Sequence, residues 1–289
     1  MLWLILSLMT ALSVASQDAW VKKFFSHLSP YEMLAYPLAY STPIFIIMLP
    51  FVPVPRLDAV FFWCSLVGIP LNGIAFLIHI KAIRIAPLSL TIPYLAFTPA
   101  FIIITGYLFL DEMPNAWGIF GILIICAGCY ILNIDPGKWR PLDPFKAVFK
   151  ETGSWLMLIA AFLYSFGAVI GKKAILHSSP LFFTVSYFGA FNLTCLLFFW
   201  ILKKIRLETF REPHINGIIA GGLLILHVLF HCWAVSLTKA AYMISVKRLS
   251  ILFSVIYGKF IFKEENMVCR LSGALLMLLG TVIISLHGL

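Results

Sequence analysis

The sequence predicts an all-α membrane protein of ten transmembrane helices arranged as two inverted five-helix repeats. Three observations predict it. Hydrophobic residues make up 62% of the chain and charged residues 11%, with a mean hydropathy of +1.00. That is more apolar surface than one water-soluble core hides. Apolar runs of about 20 residues, the length that spans a bilayer, recur ten times between short polar breaks. The chain also matches itself when displaced by about 150 residues.

The runs cover 2–21, 34–51, 59–80, 88–110, 116–132, 155–175, 181–202, 215–237, 240–262 and 271–286. Stretches such as 97–110 and 271–286 are almost continuously apolar, where barrel strands alternate apolar and polar residues, so helices are expected. The first run ends in Val14-Ala15-Ser16-Gln17, which suits a secretory cleavage site, but it lacks a basic start. The repeat also needs it as a helix, so it reads as mature protein.

Six cysteines, at 64, 126, 129, 195, 232 and 269, lie in or beside apolar runs and outline no disulfide framework. Cys126 and Cys129 form a C-x-x-C inside an apolar helix, which reads as packing rather than redox or metal chemistry. The net charge of +9 is spread over loop ends and a few intramembrane sites, so no nucleic-acid partner is expected. Fifteen basic residues, from Lys22 and Lys23 to Lys263 and Arg270, fall in odd-numbered loops. Four fall in even-numbered loops: Arg56, Lys172, Lys173 and Lys239. The positive-inside rule then puts both termini outside, and the expected location is a bacterial inner (plasma) membrane.

The repeat holds its register at both ends. Lys22-Lys23-Phe24-Phe25-Ser26-His27-Leu28-Ser29-Pro30 faces Lys172-Lys173-Ala174-Ile175-Leu176-His177-Ser178-Ser179-Pro180 at an offset of 150. At 152, His79, Ala82, Gly106, Glu112, Gly121 and Gly128 fall on His231, Ala234, Gly258, Glu264, Gly273 and Gly280. The halves are 1–133 and 153–289, joined by a polar linker, 134–152, in which Pro136, Pro141 and Pro144 stop a continuous helix. Because five is odd, the second half enters the membrane from the opposite side. Inverted repeats of this kind place a substrate site near the midplane and expose it alternately to each face.

Residues 86–130, with Pro99, Gly106, the Leu110-Asp111-Glu112 helix end and the Gly121 and Gly128 spacing, resemble the ten-helix EamA-type branch of the drug/metabolite transporter superfamily. Residues 240–286 repeat the pattern. The resemblance implies a carrier and leaves its cargo open, since that superfamily carries amino acids, drugs, nucleotide-sugars and phosphorylated metabolites.

Charge inside the apolar runs is the most informative signal. Lys247 and Arg248 lie within the ninth run, where an intramembrane cation costs roughly 2.5–3.5 kcal/mol on insertion scales and normally faces a polar cavity. Their repeat mates are Leu95 and Ala96, so the fold does not require charge there. Lys172 and Lys173 end the sixth run. The two basic motifs together resemble those of the triose-phosphate and related sugar-phosphate translocators. There, a lysine near the end of helix 6 and a Lys-Arg pair in helix 9 hold the phosphate. The resemblance implies that role for Lys172 or Lys173 and for Lys247 and Arg248. Arginine suits it by its planar fork and lysine by point charge.

His79, and His227 with His231 one turn apart, are expected to add polarity to the same cavity. No acidic or cysteine partner at a metal-ligand spacing accompanies them, so no metal is expected. Asp18, beside Ser16 and Gln17, is the carboxylate expected to reach the bundle, where it pairs with a lysine or carries a coupling proton. Asp111, Glu112, Glu264 and Glu265 read as solvated caps or inter-loop partners. Tyr94, Tyr187 and Tyr242 are phenols able to bond a ligand from an apolar wall.

No nucleophile elbow, Walker loop, H-E-x-x-H or paired-carboxylate spacing appears, so neither an enzyme nor a cofactor is expected. The expected activity is secondary active transport of a small anionic, phosphate-containing metabolite, with exchange as one mode. The alternatives are a flippase for a phosphate-headed lipid and an exporter of amino acids or drugs, with a membrane scaffold as the non-transport reading. The expected partners are that substrate, membrane lipids and, as a homodimer, a second copy of the chain.

Overall fold

The computed structural model describes residues 1–132, 151–206, 214–262 and 268–287, which form helices and short turns with no strand among them. The linker up to position 150, and Glu264 and Glu265, lie outside the described residues. The first half contains α1 (Leu2–Phe25), α2 (Pro30–Met48), α3 (Ala59–Ile85), α4 (Leu88–Thr91), a 3-10 turn (Ile92–Phe97), α5 (Thr98–Leu110) and α6 (Ala116–Leu132). The second contains α7 (Thr152–Leu176), α8 (Pro180–Ile201), α9 (His214–Ser236), α10 (Ala240–Lys247), α11 (Ser250–Phe262) and α12 (Val268–His287).

Among the described residues seven helices are long and apolar enough to cross a membrane, accompanied by shorter apolar helices at Tyr94–Leu110, Ala116–Gly128 and Leu275–His287. Large apolar side chains such as Phe62, Leu66, Leu197 and Ile201 stand exposed along them, as a lipid-facing surface requires. The chain is a multi-pass membrane protein.

Two expected spans are broken rather than continuous, and they are repeat mates. Run 88–110 passes through the 3-10 turn Ile92–Phe97, which starts with a proline in its first two positions; proline withdraws a helix donor there. Run 240–262 breaks at Arg248 and Leu249. There the Ile251 and Leu252 N–H groups bond back to Arg248 and Leu249 at 3.0 Å, an i to i+3 pattern that tightens the chain locally.

Helix packing maps onto itself when the halves are exchanged. α3 packs on α7 as α9 packs on α1, and α5 packs on α7 as α11 packs on α1. α2 packs on its own mate α8, and α6 on α12. The α6–α12 seam is built from the small residues seen in the sequence. A Cβ added at Gly128 would lie 2.6 Å from the Gly273 carbonyl oxygen, and one at Gly280 2.6 Å from that of Gly121. Only glycine lets the two backbones approach so closely. Gly121 meets Gly280 while Gly128 meets Gly273, so the two helices run antiparallel.

The matching Ser-Pro pairs are helix starts. Ser29 caps α2 in a capping box with Glu32, and Ser179 caps α8 by accepting from the Phe182 N–H, each with proline at the first helical position. Outside the spanning segments, Asp58 caps α3 and contacts His177 at 2.6 Å. The Phe61 N–H first, and then His177, hold its carboxyl below the usual range.

Candidate functional site

The two halves enclose a cavity of about 150 Å³, on the order of ten waters in size. Its walls follow helical periodicity. Asn72, Phe76 and His79 line it from α3, and Leu224, His227, His231 and Val235 from α9, each set spaced three or four residues apart on one face. On α7 the lining runs from Tyr164 to Ile175, roughly 16 Å at the helical rise. α1 contributes Gln17 and Asp18, and the break after α10 contributes Lys247, Arg248 and Ser250.

The polar groups form two chains. In one, the Lys247 ammonium donates to His227 Nε2 at 2.9 Å, and His227 Nδ1 lies 3.3 Å from Gln17 Oε1. With Lys247 charged, Nε2 is an acceptor and the ring proton sits on Nδ1, where it reaches Gln17; His227 is then neutral. In the other, buried Asp18 accepts from His79 Nε2 at 3.1 Å, and the His79 ring edge abuts Tyr164. Arg248, 5% exposed, donates to the Thr98 hydroxyl at 2.8 Å. That bond ties the charged break to the first residue of α5, the mate of Ser250 at the start of α11. Among the described residues no carboxylate lies within 4 Å of Lys247, and a buried cation without a counter-ion favours an incoming anion.

Lys172 also lines the cavity, but its ammonium is held by the Glu112 carboxylate and, at 2.7 Å, by the Thr238 carbonyl. Glu112 in turn accepts from the Ala240 N–H at 2.9 Å, at the start of α10. It therefore serves as an inter-loop partner that reaches inward. Asp111, which precedes it, adopts the left-handed conformation (φ 53°) that ends α5 and turns the chain. At the mate position Lys22 donates to the Ala86 carbonyl at 2.6 Å, so both repeats tie this lysine to the same kind of loop oxygen.

The expected residues divide clearly. Lys247, Arg248, Lys172, His79, His227, His231, Tyr187 and Asp18 all line the cavity. Lys173, one residue round the helix from Lys172, instead donates to the Phe109 carbonyl. Tyr94 is buried away from the cavity lining, and Tyr242 accepts from the Asn115 N–H beside Gly118. Asp18 meets a histidine rather than a lysine. Asn72, Asn192, Tyr164 and Thr98 were not anticipated; for the asparagines the available signal was a lone amide inside an apolar run. Among the described residues no group of three or more His, Cys, Asp or Glu is placed to hold a metal ion.

A family model described as the EamA-like transporter family matches residues 1–134 and 151–286. No curated protein sequence matches the chain. A solved structure, described only as the crystal structure of a protein, superposes with a TM-score of 0.67 at 12% identity, over 99% of this chain and 96% of that one. At that identity the likeness shows a shared fold.

Proposed function

This chain belongs to the EamA-like transporter family. From that premise we propose that it is a secondary active transporter of a small anionic, phosphate-containing metabolite, working by alternating access. The observation that carries the reading is Lys247, lining the cavity beside Arg248 with a histidine ring, rather than a carboxylate, as its hydrogen-bond partner. The resemblance of these motifs to those of sugar-phosphate translocators supports phosphate. So does the α11 N-terminus at Ser250, whose dipole favours negative charge.

The two halves are inverted in the membrane, in keeping with the antiparallel α6–α12 seam, and the protein resides in a bacterial inner membrane. Lys172, bound to Glu112 and Thr238, lines the cavity, and its mate Lys22, bound to Ala86, lies outside the lining. Lys247, with no carboxylate within 4 Å among the described residues, disfavours closing the empty protein, whereas a bound anion neutralises it and permits closure. Exchange of one anion for another follows.

Thermal stabilisation of the purified protein by a panel of phosphorylated metabolites tests the binding step, since a ligand raises apparent stability by mass action. Stabilisation of the wild type and none of Lys247→Ala/Arg248→Ala is expected. Equal stabilisation of both would overturn the reading. In proteoliposomes loaded with the stabilising compound, uptake should exceed that of empty ones; equal uptake removes exchange.

A further inference from the structure

The cavity assigned above to an anion also holds a carboxylate. Asp18 is the one acidic side chain in its lining among the described residues, and a fixed negative charge there repels the cargo that Lys247 and Arg248 attract. The fold does not demand it. The mate of Asp18 at the offset of 150, Ala168, lines the same cavity without charge. Both halves keep the histidine, His79 and its mate His231, but of the two only His79 meets a carboxylate among the described residues.

The geometry of the pair says where a proton can go. Asp18 Oδ1 accepts from His79 Nε2, which therefore carries the ring hydrogen. His79 Nδ1 is buried and has no hydrogen-bond partner among the described residues. A second ring proton would leave an N–H there without an acceptor, at the full cost of desolvation, so an added proton is better placed on the carboxylate. Asp18 Oδ2 is the oxygen left for it: the side chain lies on the cavity wall and keeps 6% exposure, while Oδ1 takes the histidine bond. The charged and titratable groups facing the pair across the cavity are Tyr164 and Lys172 on α7, Tyr187 on α8, His227, His231 and Cys232 on α9, and Lys247 and Arg248 at the break; α2 adds none to the lining. Lys172 is committed to Glu112. Asp18 lies within electrostatic reach of Lys247 and Tyr164, and His79 of His227.

We propose that the anion binds together with one proton, taken up on Oδ2 of Asp18, and that the two cross the membrane together. This rests on the anion-transport reading above and names the ion coupled to it. With the cavity empty, the carboxylate charge is set against Lys247. An arriving anion engages Lys247 and Arg248 and leaves Asp18 facing a second negative charge, which favours its protonated form. A proton from the water of the open cavity adds to Oδ2, Oδ1 goes on accepting from His79, and the neutral acid presents an O–H donor in place of a repelling charge. The coupling is reciprocal, so the proton strengthens anion binding as the anion strengthens proton binding. A dianion calls for the proton more strongly than a monoanion does.

The test is equilibrium binding to the purified full chain of two labelled probes whose own charge is constant from mildly acid to mildly alkaline pH: sulfate, a dianion, and methyl sulfate, a monoanion. Sulfate affinity should rise toward acid pH, by up to about tenfold per pH unit for one linked proton, and methyl sulfate affinity should change less. Asp18→Asn should flatten the sulfate profile and bind sulfate more tightly than the wild type at the alkaline end, where the carboxylate no longer repels it. Asp18→Glu should restore the slope. The comparison of the two probes in the wild type decides the matter even where a variant fails to fold. A sulfate profile that is flat, that methyl sulfate shares, or that persists in Asp18→Asn with the proton on Lys247 or a histidine overturns the proton inference and leaves anion transport standing. Binding of neither probe overturns both.

Discussion

The two broken spans are the same piece of architecture used twice. The first half crosses through the 3-10 turn Ile92–Phe97 and the second through the break at Arg248 and Leu249, at matching positions of the repeat. One carries Leu95, an apolar side chain on the cavity wall, and fully buried Ala96; the other carries Lys247 and Arg248 on the cavity. The break therefore belongs to the scaffold, and the cations were fitted into only one copy of it. The uncharged copy still takes part, since its Thr98 hydroxyl receives Arg248.

The largest effect should come from erasing this difference. Leu95→Lys/Ala96→Arg adds a further cation to a cavity wall that already carries Lys247 and Arg248 and forces an arginine into the fully buried Ala96 site, at a cost of about 5 kcal/mol or more from charge burial and overpacking. That approaches the whole stability of a typical domain, so size-exclusion chromatography should return no monodisperse protein. Next comes Glu112→Gln, which keeps the shape but strips buried Lys172 of its anion. A loss of about 3 kcal/mol is expected, read as a lowered unfolding midpoint.

Lys247→Ala/Arg248→Ala should cost about 100-fold in anion affinity by isothermal calorimetry, near the loss of two charge-assisted hydrogen bonds. Its unfolding temperature should stay level or rise, since buried cations are themselves destabilising. A marked fall in stability instead would make the pair structural. The smallest effect is expected from Thr98→Val, about tenfold in affinity through loss of one hydroxyl on Arg248. The mate substitution Ser250→Ala, which removes no bond to Arg248, should change affinity less. If the two variants prove equal, the uncharged half does not hold Arg248.

The sequence carried the apolar runs and the repeat because lipid imposes long uniform segments and duplication leaves a register. Residue identity also marked Lys247 and Arg248, since a cation inside an apolar run is conspicuous. The second break was not legible as a break: Ser245 to Leu252 contains neither glycine nor proline. Glu112 looked like an ordinary helix end because its partner, Lys172, is 60 residues away. The choice between Lys172 and Lys173 needed the rotation of α7, which an almost wholly apolar run does not reveal. Tyr94 and Tyr242 show the converse: a phenol in an apolar run signals a hydrogen bond somewhere, without saying that a ligand makes it.

The glycine seam between α6 and α12 has a mechanical corollary. Carbonyl oxygens there sit where Cβ atoms would be, and Ile125, Met277 and Ile284 close in beside them, so the two helices touch through main chain and interlocked side chains together. Such a joint has no slack, and a separation costs every contact at once. It acts as a rivet: stiff against being pulled apart by lateral tension in the bilayer, so that any relative movement of the two halves is taken up elsewhere in the bundle.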